Sequence, residues 1–364
     1  MKKKKAILVI DWLDAYGGSE KVAKYLHQIY DFKKVYTLVN VMSEDNLKKI
    51  FPNQEIEIRT SFLQILGNHF RYGLPLFPLA LKRLKIKDKN AIVISISHSV
   101  VKGISVPKSS THVSYLVARN LKYVWEEKEL YFVGLKKVFS FIIPLLRRFD
   151  VKMAKKPAKI LSVSNFVSTW AEGKYQRDIT TINPPVQTKE FNFQEHKENF
   201  YVSVGRLEPY KRFDILIEAF NKNGKKLIII GDGSLMPVLK RKAKKNIEFT
   251  GYLHPEKSKE FLKRAKAFVF CGKEDFGIAL LEPQVCGTPV ITFKEGGALD
   301  SVKEKITGVF FDEQTPKSLN SALDKFETQD YDPHLIRKHA MSFSVEEFKK
   351  NFENIVSNEI QKKV

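Results

Sequence analysis

Short apolar runs of strand length recur along the chain and alternate with longer segments whose apolar residues have helical spacing. Buried strands that alternate with amphipathic helices are typical of parallel sheets with crossover helices. The pattern therefore predicts an α/β protein. The strand-like runs are residues 6–10, 91–96, 159–163, 200–204, 226–230, 267–270 and 289–293.

The stretch 181–190 interrupts this alternation with two adjacent prolines, and a strand-like run begins the pattern again at Phe200. A chain of 364 residues is long enough for two ordinary cores. We therefore predict two Rossmann-like domains that face a cleft, over residues 1–186 and 187–344. Residues 345–364 have helical periodicity and form a last helix.

Hydrophobic residues make up 43% of the chain and charged residues 28%, which indicates a folded globular protein. Its two cysteines, Cys271 and Cys286, lack the spacing of a disulfide framework or a zinc site. We therefore expect the protein to occupy a reducing cytosol. The apolar run 6–10 is too short for a signal peptide, and no run reaches the roughly 18 residues of a bilayer span. We expect a cytoplasmic chain that does not cross a membrane.

The net charge is +21 and is concentrated in the first half of the chain. Residues 1–186 hold 32 Lys and Arg against 15 Asp and Glu. Such a surface attracts phosphates, whether of nucleic acid, anionic lipid or a phosphorylated acceptor. The alternative is that the excess serves general solubility.

Two segments of the first half are apolar and basic together, namely residues 70–87 and 138–149. Each fits a membrane interface, with aromatic side chains sunk into it and cations against anionic lipid. Each also fits a core helix flanked by solvated charges. We favour the core alternative for 138–149 and the membrane or acceptor role for 70–87.

A glycine pair follows the first strand directly, before a helical pattern. Gly17 and Gly18 would let backbone amides approach a diphosphate at a helix N-terminus. The segment lacks the third glycine of the dinucleotide fingerprint and has no Walker lysine. A simple turn is the alternative.

The loop after the strand 200–204 reads GRLEPYKR over residues 205–212. Open α/β sheets bind their ligands at the carboxyl ends of strands, so Arg206 and Lys211 are placed to neutralise a departing diphosphate. The alternative is ordinary surface charge.

The segment 270–291 reads FCGKEDFGIALLEPQVCGTPVI. An acidic loop with Glu274 and Gly277 precedes a helix whose first turn holds Glu282, so the helix amides point towards any ligand of this loop. Glu274 is placed to accept bonds from sugar hydroxyls, and Glu282 from a ribose. The later segment 293–300 brings a second glycine pair to the end of a strand.

This combination of motifs resembles the retaining family 4 glycosyltransferases of GT-B fold. The motifs are Glu-x7-Glu, CGTPVI, GGALD and GRLxPYKR. The resemblance covers most of residues 160–315, and it extends more loosely to GGSEKV at Gly17 and to SHSVVKG at His98. Among such enzymes the similarity is to bacterial mannosyltransferases of polysaccharide and O-antigen assembly. It implies a last helix that packs back on the first domain.

The resemblance implies that Arg206 and Lys211 hold the donor diphosphate, that Glu274 orients the transferred sugar and that Glu282 holds the ribose. It further implies backbone contacts to sugar or phosphate, and a place near the base for the residues after Gly251. The donor would be a GDP-sugar or a UDP-sugar, with GDP-mannose favoured, and transfer would need no metal or other cofactor. The remaining binding residues are Phe276, Gly277, Ile278, Tyr252 and Leu253.

One departure from the family concerns its catalytic-side histidine. Related mannosyltransferases carry a histidine where this chain has Val117 or Ala118. Three alternatives would account for this. The backbone of that loop takes the histidine's role, or His98 or Arg119 replaces it, or the enzyme uses a different donor or acceptor. We name His98 as the candidate catalytic residue.

The resemblance predicts a nucleotide sugar and a glycan or polyprenyl-linked acceptor as partners. The basic first half predicts an anionic membrane surface, at the inner face of the cytoplasmic membrane, as a further one. The alternatives are a sugar-nucleotide isomerase, a binding-only relative and a nucleic-acid-binding protein. No nucleic-acid module is recognisable in the sequence, so we expect no nucleic acid partner. The acidic pair Asp330 and Asp332 is predicted to be a solvated turn rather than a metal site.

Overall fold

The chain forms two compact units. The computed structural model describes residues 4–52, 55–126 and 141–362. The first unit comprises 1–183 with 349–364, and the second comprises 184–348. The predicted linker at 181–190 contains the point where the chain leaves the first unit.

A parallel sheet forms the centre of the first unit. Its strands are β1 (Lys4–Ile10), β2 (Tyr30–Thr37), β3 (Glu57–Arg59), β4 (Ile92–Ser97), β5 (Thr111–Leu116), β6 (Lys159–Ser162) and β7 (Thr180–Thr181). Within the described residues their order is β3-β2-β1-β4-β5-β6-β7. Ile10 of β1 lies opposite Thr37 of β2 and Ile96 of β4, so the carboxyl ends of three strands meet at one edge.

Helices connect these strands. They are α1 (Gly18–Ile29), α2 (Glu44–Ile50), α3 (Phe77–Arg83), α4 (Lys122–Trp125), α5 (Ile143–Ala154) and α6 (Asn165–Tyr175), with 3₁₀ helices at Phe62–Leu76 and Val101–Gly103. α1 buries Val22, Ala23 and Leu26, whose spacing places them on one face. Ser164 caps α6, because its hydroxyl accepts a bond of 3.1 Å from the Val167 amide.

The second unit repeats this plan. Its strands are β8 (Glu198–Val204), β9 (Leu227–Ile230), β10 (Ile247–Gly251), β11 (Ala265–Phe270), β12 (Val290–Phe293) and β13 (Gly308–Phe311). Within the described residues the strands are all parallel, in the order β10-β9-β8-β11-β12-β13. The order reverses direction between β8 and β11, which is where open α/β sheets bind ligands.

The helices of the second unit pack on both sides of its sheet. They are α7 (Phe213–Asn223), α8 (Met236–Lys242), α9 (Pro255–Arg264), α10 (Leu281–Val285), α11 (Ala298–Ser301), α12 (Pro316–Glu327) and α13 (Pro333–Met341), with 3₁₀ turns at Thr188–Glu190, Pro209–Lys211 and Ile278–Leu280. Asp332 caps α13 by accepting from the amides of His334 and Leu335. The acidic pair predicted as a solvated turn thus includes a helix cap.

The last helix, α14 (Val345–Gln361), returns to the first unit from Lys349 onwards. Phe352 packs edge-on against Tyr115 of β5 with 5.8 Å between ring centroids, and Lys4 donates to the Ser357 hydroxyl at 3.1 Å. This return agrees with the fold implied by the resemblance.

All of the predicted strand-like runs are strands, and the α/β class is confirmed. The pattern missed β2, β3, β5, β7, β10 and β13. The cause is clear in β5, where Thr111, His112 and Ser114 interrupt the apolar run although all six of its residues are buried between β4 and β6.

The two apolar and basic segments have different environments. Residues 138–140 lie outside the described residues, and in the remainder of that segment Ile143 and Leu146 join the hydrophobic core. Segment 70–87 contains α3 and exposes several apolar side chains. Among the described residues no helix has both the length and the apolarity of a bilayer span.

A buried ion pair connects four elements of the first unit. Lys102 and Asp150 are paired with no solvent exposure, and Lys102 also donates to the Ser99 carbonyl at 2.9 Å. Trp125 and Tyr175 each donate to Asp150 at 2.9 Å. The charges are therefore compensated and hydrogen-bonded on both sides, which is the condition under which a buried pair is tolerated.

We expect Lys102→Met to lower the free energy of unfolding by about 3–5 kcal/mol, because it leaves the Asp150 carboxylate buried without its cation. Urea unfolding followed by circular dichroism measures the change. Lys33→Met is the matched control, since Lys33 is exposed and its nitrogen lies 3.7 Å from Asp31, so its removal should alter stability little. Equal losses in both variants would contradict the assignment.

Candidate functional site

The loops after β8 and β9 contact each other through their backbones. The Gly205 amide donates to the Ile230 carbonyl at 3.0 Å, and Gly231 has φ of +134°. A side chain at Gly231 would place its Cβ 2.0 Å from the Gly205 carbonyl oxygen. Glycine is therefore required there, and the contact holds the loop that begins at Arg206.

Arg206 and Lys211 lie at the two ends of a short loop with Tyr210 between them. The Arg206 guanidinium donates to the Tyr210 hydroxyl at 2.9 Å, and the Lys211 ammonium lies 5.1 Å from the centre of the Phe270 ring. Arg206 is exposed, whereas only 14% of the Lys211 side chain is. Arg212, the third cation of this loop, is occupied by Asp214 at 3.0 Å.

Lys211 forms an ion pair with Glu274, which lies in the loop after β11. Gly272 allows this approach, because a Cβ there would meet the Tyr210 carbonyl oxygen at 3.1 Å and the Lys211 Cα at 3.2 Å. The structure thus brings together the predicted phosphate cation and the predicted sugar carboxylate.

The loop then turns at Gly277, whose φ of +83° is the left-handed conformation that favours glycine. Leu280 donates its amide back to the Gly277 carbonyl at 2.9 Å and starts the turn that leads into α10. Within the described part of the chain no acceptor faces the amides of Phe276, Gly277 or Ile278. These amides can therefore donate to a ligand oxygen, and their part in donor binding stays a prediction.

A second glycine pair supports this loop from the end of β12. The Gly297 amide donates to the Glu274 carbonyl at 2.9 Å, and Lys273 pairs with Glu295. A Cβ at Gly296 would lie 2.4 Å from the Glu274 carbonyl oxygen, and one at Gly297 would lie 2.2 Å from the Phe276 Cα. The glycines therefore allow the two backbones to touch.

The other predicted donor residues lie at the start of α10 and after β10. Glu282 stands in the first turn of α10 and is half-buried. Tyr252 is 75% exposed and Leu253 is half-buried, both after β10, whose Gly251 carbonyl accepts from the Gly231 amide at 2.9 Å. That bond joins the end of β10 to the loop contacts at Gly205.

In the first unit, Asp11 organises the loop that carries His98. Its carboxylate is fully buried at the end of β1 and accepts from four consecutive amides, those of residues 98–101, at 2.7–3.0 Å. Four such bonds satisfy a buried charge without a cation. The sequence prediction did not include Asp11, although a charged residue directly after a buried strand is a signal that could have found it.

His98 lies between Asp11 and Trp12. Its Nδ1 is 3.5 Å from the Asp11 carboxylate, and its ring meets Trp12 edge-on with 4.2 Å between centroids. The ring is thereby held in one orientation, with part of its side chain still exposed.

Gly17 and Gly18 precede and begin α1 near this loop. The Gly17 amide already donates to the Glu20 carboxylate at 2.9 Å, so a ligand must displace that bond to use it. Burial raises the pKa of Glu20 above its ordinary value, although bonds from Ser19 and Gly17 and the nearby His98 act against it.

The loop where the resemblance leads us to expect a histidine follows β5. Val117 donates its amide to the Ser97 carbonyl at 3.0 Å, which fixes the loop beside the end of β4. Arg119 pairs with Glu126 and lies 4.7 Å over the Phe166 ring, so its charge is engaged.

Neither cysteine is placed for chemistry. Cys271 and Cys286 are buried as free thiols, and burial raises the pKa of Cys286 to about 12. A thiol that stays protonated is a poor nucleophile and a poor metal ligand. Among the described residues no group of three His, Cys, Asp or Glu side chains is arranged to hold a metal ion.

The family comparison concerns the unit that carries this cluster of loops. Residues 186–343 match the family model of "Glycosyl transferases group 1". This part of the chain is therefore similar to the group 1 glycosyl transferases. The matched residues make up nearly the whole second unit, and membership of family 4 stays a prediction.

The chain is also similar to proteins that are named as glycosyltransferases. An uncharacterised glycosyltransferase of Methanocaldococcus jannaschii is 27% identical over 45% of this chain and 48% of its own length. The O-antigen chain mannosyltransferase C of Escherichia coli is 24% identical over 86% of this chain and 85% of its own length. The chain thus spans about half the length of the first of these relatives.

Solved structures resemble the entire chain in fold. The Anabaena protein HepE in complex with UDP superimposes with a TM-score of 0.71 at 15% identity, covering 97% of this chain and 100% of that one. The lipopolysaccharide outer core galactosyltransferase WaaB gives a TM-score of 0.67 at 18% identity, covering 97% and 99%. The prediction of a GT-B fold is confirmed.

We expect Gly297→Ala to destabilise the second unit by about 1–3 kcal/mol, because the new methyl group overlaps the Phe276 backbone and forces the two loops apart. Thermal unfolding measures this. Gly173→Ala is the control: a Cβ there meets nothing within 4 Å inside α6, so it should stabilise the chain by about 0.5–1 kcal/mol. The change in stability should have opposite signs in the two variants, and changes of the same sign would contradict the prediction.

Proposed function

We propose that the protein transfers a hexose from a nucleotide diphosphate sugar to a glycan or a polyprenyl-linked acceptor. The observation that carries this proposal is the pairing of Lys211 with Glu274 beside the available amides of residues 276–278. Cations, a carboxylate and aligned amides at one strand edge are complementary to a sugar joined to a diphosphate.

The diphosphate is held by Arg206 and Lys211. The Lys211 charge is directed to Glu274, and we propose that donor binding redirects it to a phosphate oxygen. Positive charge at that position stabilises the nucleotide diphosphate as it departs with an additional negative charge. Because these two cations provide this charge, we propose that the reaction needs no metal.

The sugar and nucleoside occupy the flanking positions. Glu274, once released from Lys211, accepts hydrogen bonds from sugar hydroxyls, while the amides of Phe276, Gly277 and Ile278 donate to sugar or phosphate oxygens. Glu282 holds the ribose, and Tyr252 and Leu253 lie beside the base. Glu282 and Tyr252 sit on the first turn of α10 and after β10, respectively.

We propose that transfer retains the configuration at the anomeric carbon. The bond from that carbon to the phosphate oxygen breaks, and the acceptor oxygen bonds on the same face. The acceptor proton passes to the departing phosphate oxygen, so the protein needs no separate base for it. The requirement on the protein is electrostatic, which fits a site of two cations and aligned amides.

We propose that His98 contacts the acceptor in place of the histidine that the resemblance leads us to expect at the Val117 or Ala118 position. Its support is the orientation of its ring by Asp11 and Trp12, with part of the side chain left exposed. A ring held in this way donates or accepts a hydrogen bond at little entropic cost.

For the donor we favour GDP-mannose, because the relative named as a mannosyltransferase aligns over 86% of this chain. A UDP-sugar is the second candidate, since a neighbour in fold was solved with UDP. Incubation with each radiolabelled donor, with and without acceptor lipid extract, separates transfer from hydrolysis, and product analysis detects an isomerase. If no nucleotide sugar raises the melting temperature, the proposed function is wrong.

We expect Lys211→Ala to lower the transfer rate about 100-fold to 1,000-fold, because it removes charge stabilisation of the leaving diphosphate. Glu274→Gln should lower transfer similarly while leaving the affinity for free UDP or GDP unchanged or increased, since it frees Lys211. Radiolabel transfer and calorimetric titration measure the two effects. Lys222→Ala, at an exposed position of α7, is the control and should act as wild type.

We expect His98→Ala to raise the KM for the acceptor about tenfold, the effect of one lost hydrogen bond, while the affinity for the donor stays unchanged. Steady-state kinetics with acceptor varied at saturating donor measures it. His196→Ala, which alters an exposed histidine of the second unit, is the matched control. An unchanged acceptor KM in the His98 variant would remove this residue from the acceptor site.

A further inference from the structure

One surface of the first unit exposes apolar and basic side chains together. We call it the apolar-basic face and define it by Phe62, Ile65, Tyr72, Leu76, Leu79, Arg83, Lys85 and Lys87. All eight residues are exposed. Ile65 and Tyr72 are the most exposed of the five apolar ones, at 89% and 76%. Soluble monomers rarely expose contiguous apolar side chains without a binding role.

The apolar side chains of this face are neighbours in space. Leu76, Leu79 and Arg83 share one side of α3 by their spacing, while Phe77, Ala80 and Leu81 point into the core. The Arg83 guanidinium lies 5.2 Å over the Phe62 ring, which places the first turn of the preceding 3₁₀ helix beside α3.

The same packing includes the remaining apolar members. Ile65 stands one turn after Phe62. A Cβ at Gly73 would lie 2.9 Å from a methyl group of Leu66, so the turn that carries Tyr72 lies against the turn that carries Ile65. The five apolar side chains are therefore carried by backbone turns that pack against one another.

A row of cations continues this surface. After α3 the chain is extended, and Leu84 and Ile86 are buried at 8% and 4% exposure while Lys85 and Lys87 point to solvent. The Ile86 amide donates to the Ser105 carbonyl at 3.1 Å, which anchors this alternation. The anchored backbone thus presents the two lysines on the same side, next to Arg83 at the end of α3.

We propose that the apolar-basic face docks on an anionic lipid bilayer, with its apolar side chains in the interface and its cations against lipid phosphates. Aliphatic side chains gain nothing from the backbone of a nucleic acid, whereas a bilayer accepts both aliphatic groups and cations. The excess of positive charge in residues 1–186 acts in the same direction. This partner adds to the proposed function without depending on it.

Cosedimentation of the full chain with vesicles tests the proposal, and it requires no sugar donor. The vesicles contain phosphatidylcholine alone or with about one third phosphatidylglycerol, at low and high salt. We expect binding to the anionic vesicles that weakens with salt. No sedimentation with the anionic vesicles would overturn the proposal, whatever the outcome of the transfer assays.

Paired variants locate the surface. Lys85→Ala with Lys87→Ala should weaken vesicle binding roughly 30-fold, and Ile65→Ser with Leu79→Ser about tenfold or more, with unchanged melting temperatures. Controls in the second unit remove two exposed lysines, Lys240→Ala with Lys242→Ala, or two exposed apolar residues, Val238→Ser with Leu335→Ser.

The controls should bind vesicles as wild type does. Equal losses in control and test variants would show general charge or hydrophobicity rather than this face, and would overturn the proposal. A fluorescent single-stranded oligonucleotide provides the last comparison. If the Lys85 and Lys87 variant loses oligonucleotide binding but keeps vesicle binding, the cations serve nucleic acid and the proposal is wrong.

Discussion

The candidate donor site depends on a direct backbone contact between the loops that follow β11 and β12. Gly296 and Gly297 lie so close to residues 274–276 that any side chain would separate them. The Gly297 amide holds the Glu274 carbonyl, which in turn places the Glu274 carboxylate beside Lys211. The orientation of the free amides follows from the same contact, because they belong to the loop that it supports.

Two lysine–carboxylate pairs in this chain illustrate opposite uses of the same chemistry. Lys102 and Asp150 are fully buried and surrounded by further hydrogen bonds, so that pair is part of the core of its unit. Lys211 and Glu274 remain partly exposed at a strand end, where a ligand can replace one partner at lower cost. Burial therefore separates a structural pair from one that can exchange partners.

The first unit has a buried acid at the corresponding strand edge. Asp11 satisfies four amides of the loop that bears His98, and this rigid loop is the part of the unit that we assign to the acceptor. The apolar-basic face lies on other elements, the 3₁₀ helix and α3. In our two proposals, the first feature positions the acceptor hydroxyl and the second keeps the chain at the bilayer.

The sequence by itself determined the α/β class and singled out Arg206, Lys211 and Glu274 as candidate residues, because apolar runs and glycine-bounded loops are local signals. It did not reveal β5, whose polar residues are buried only because β4 and β6 lie on either side. It did not reveal Asp11, whose bonding partners lie about 90 residues later. Only the tertiary structure decided these, and the exposure of the apolar-basic face, because burial and long-range hydrogen bonds are properties of neighbours distant in sequence.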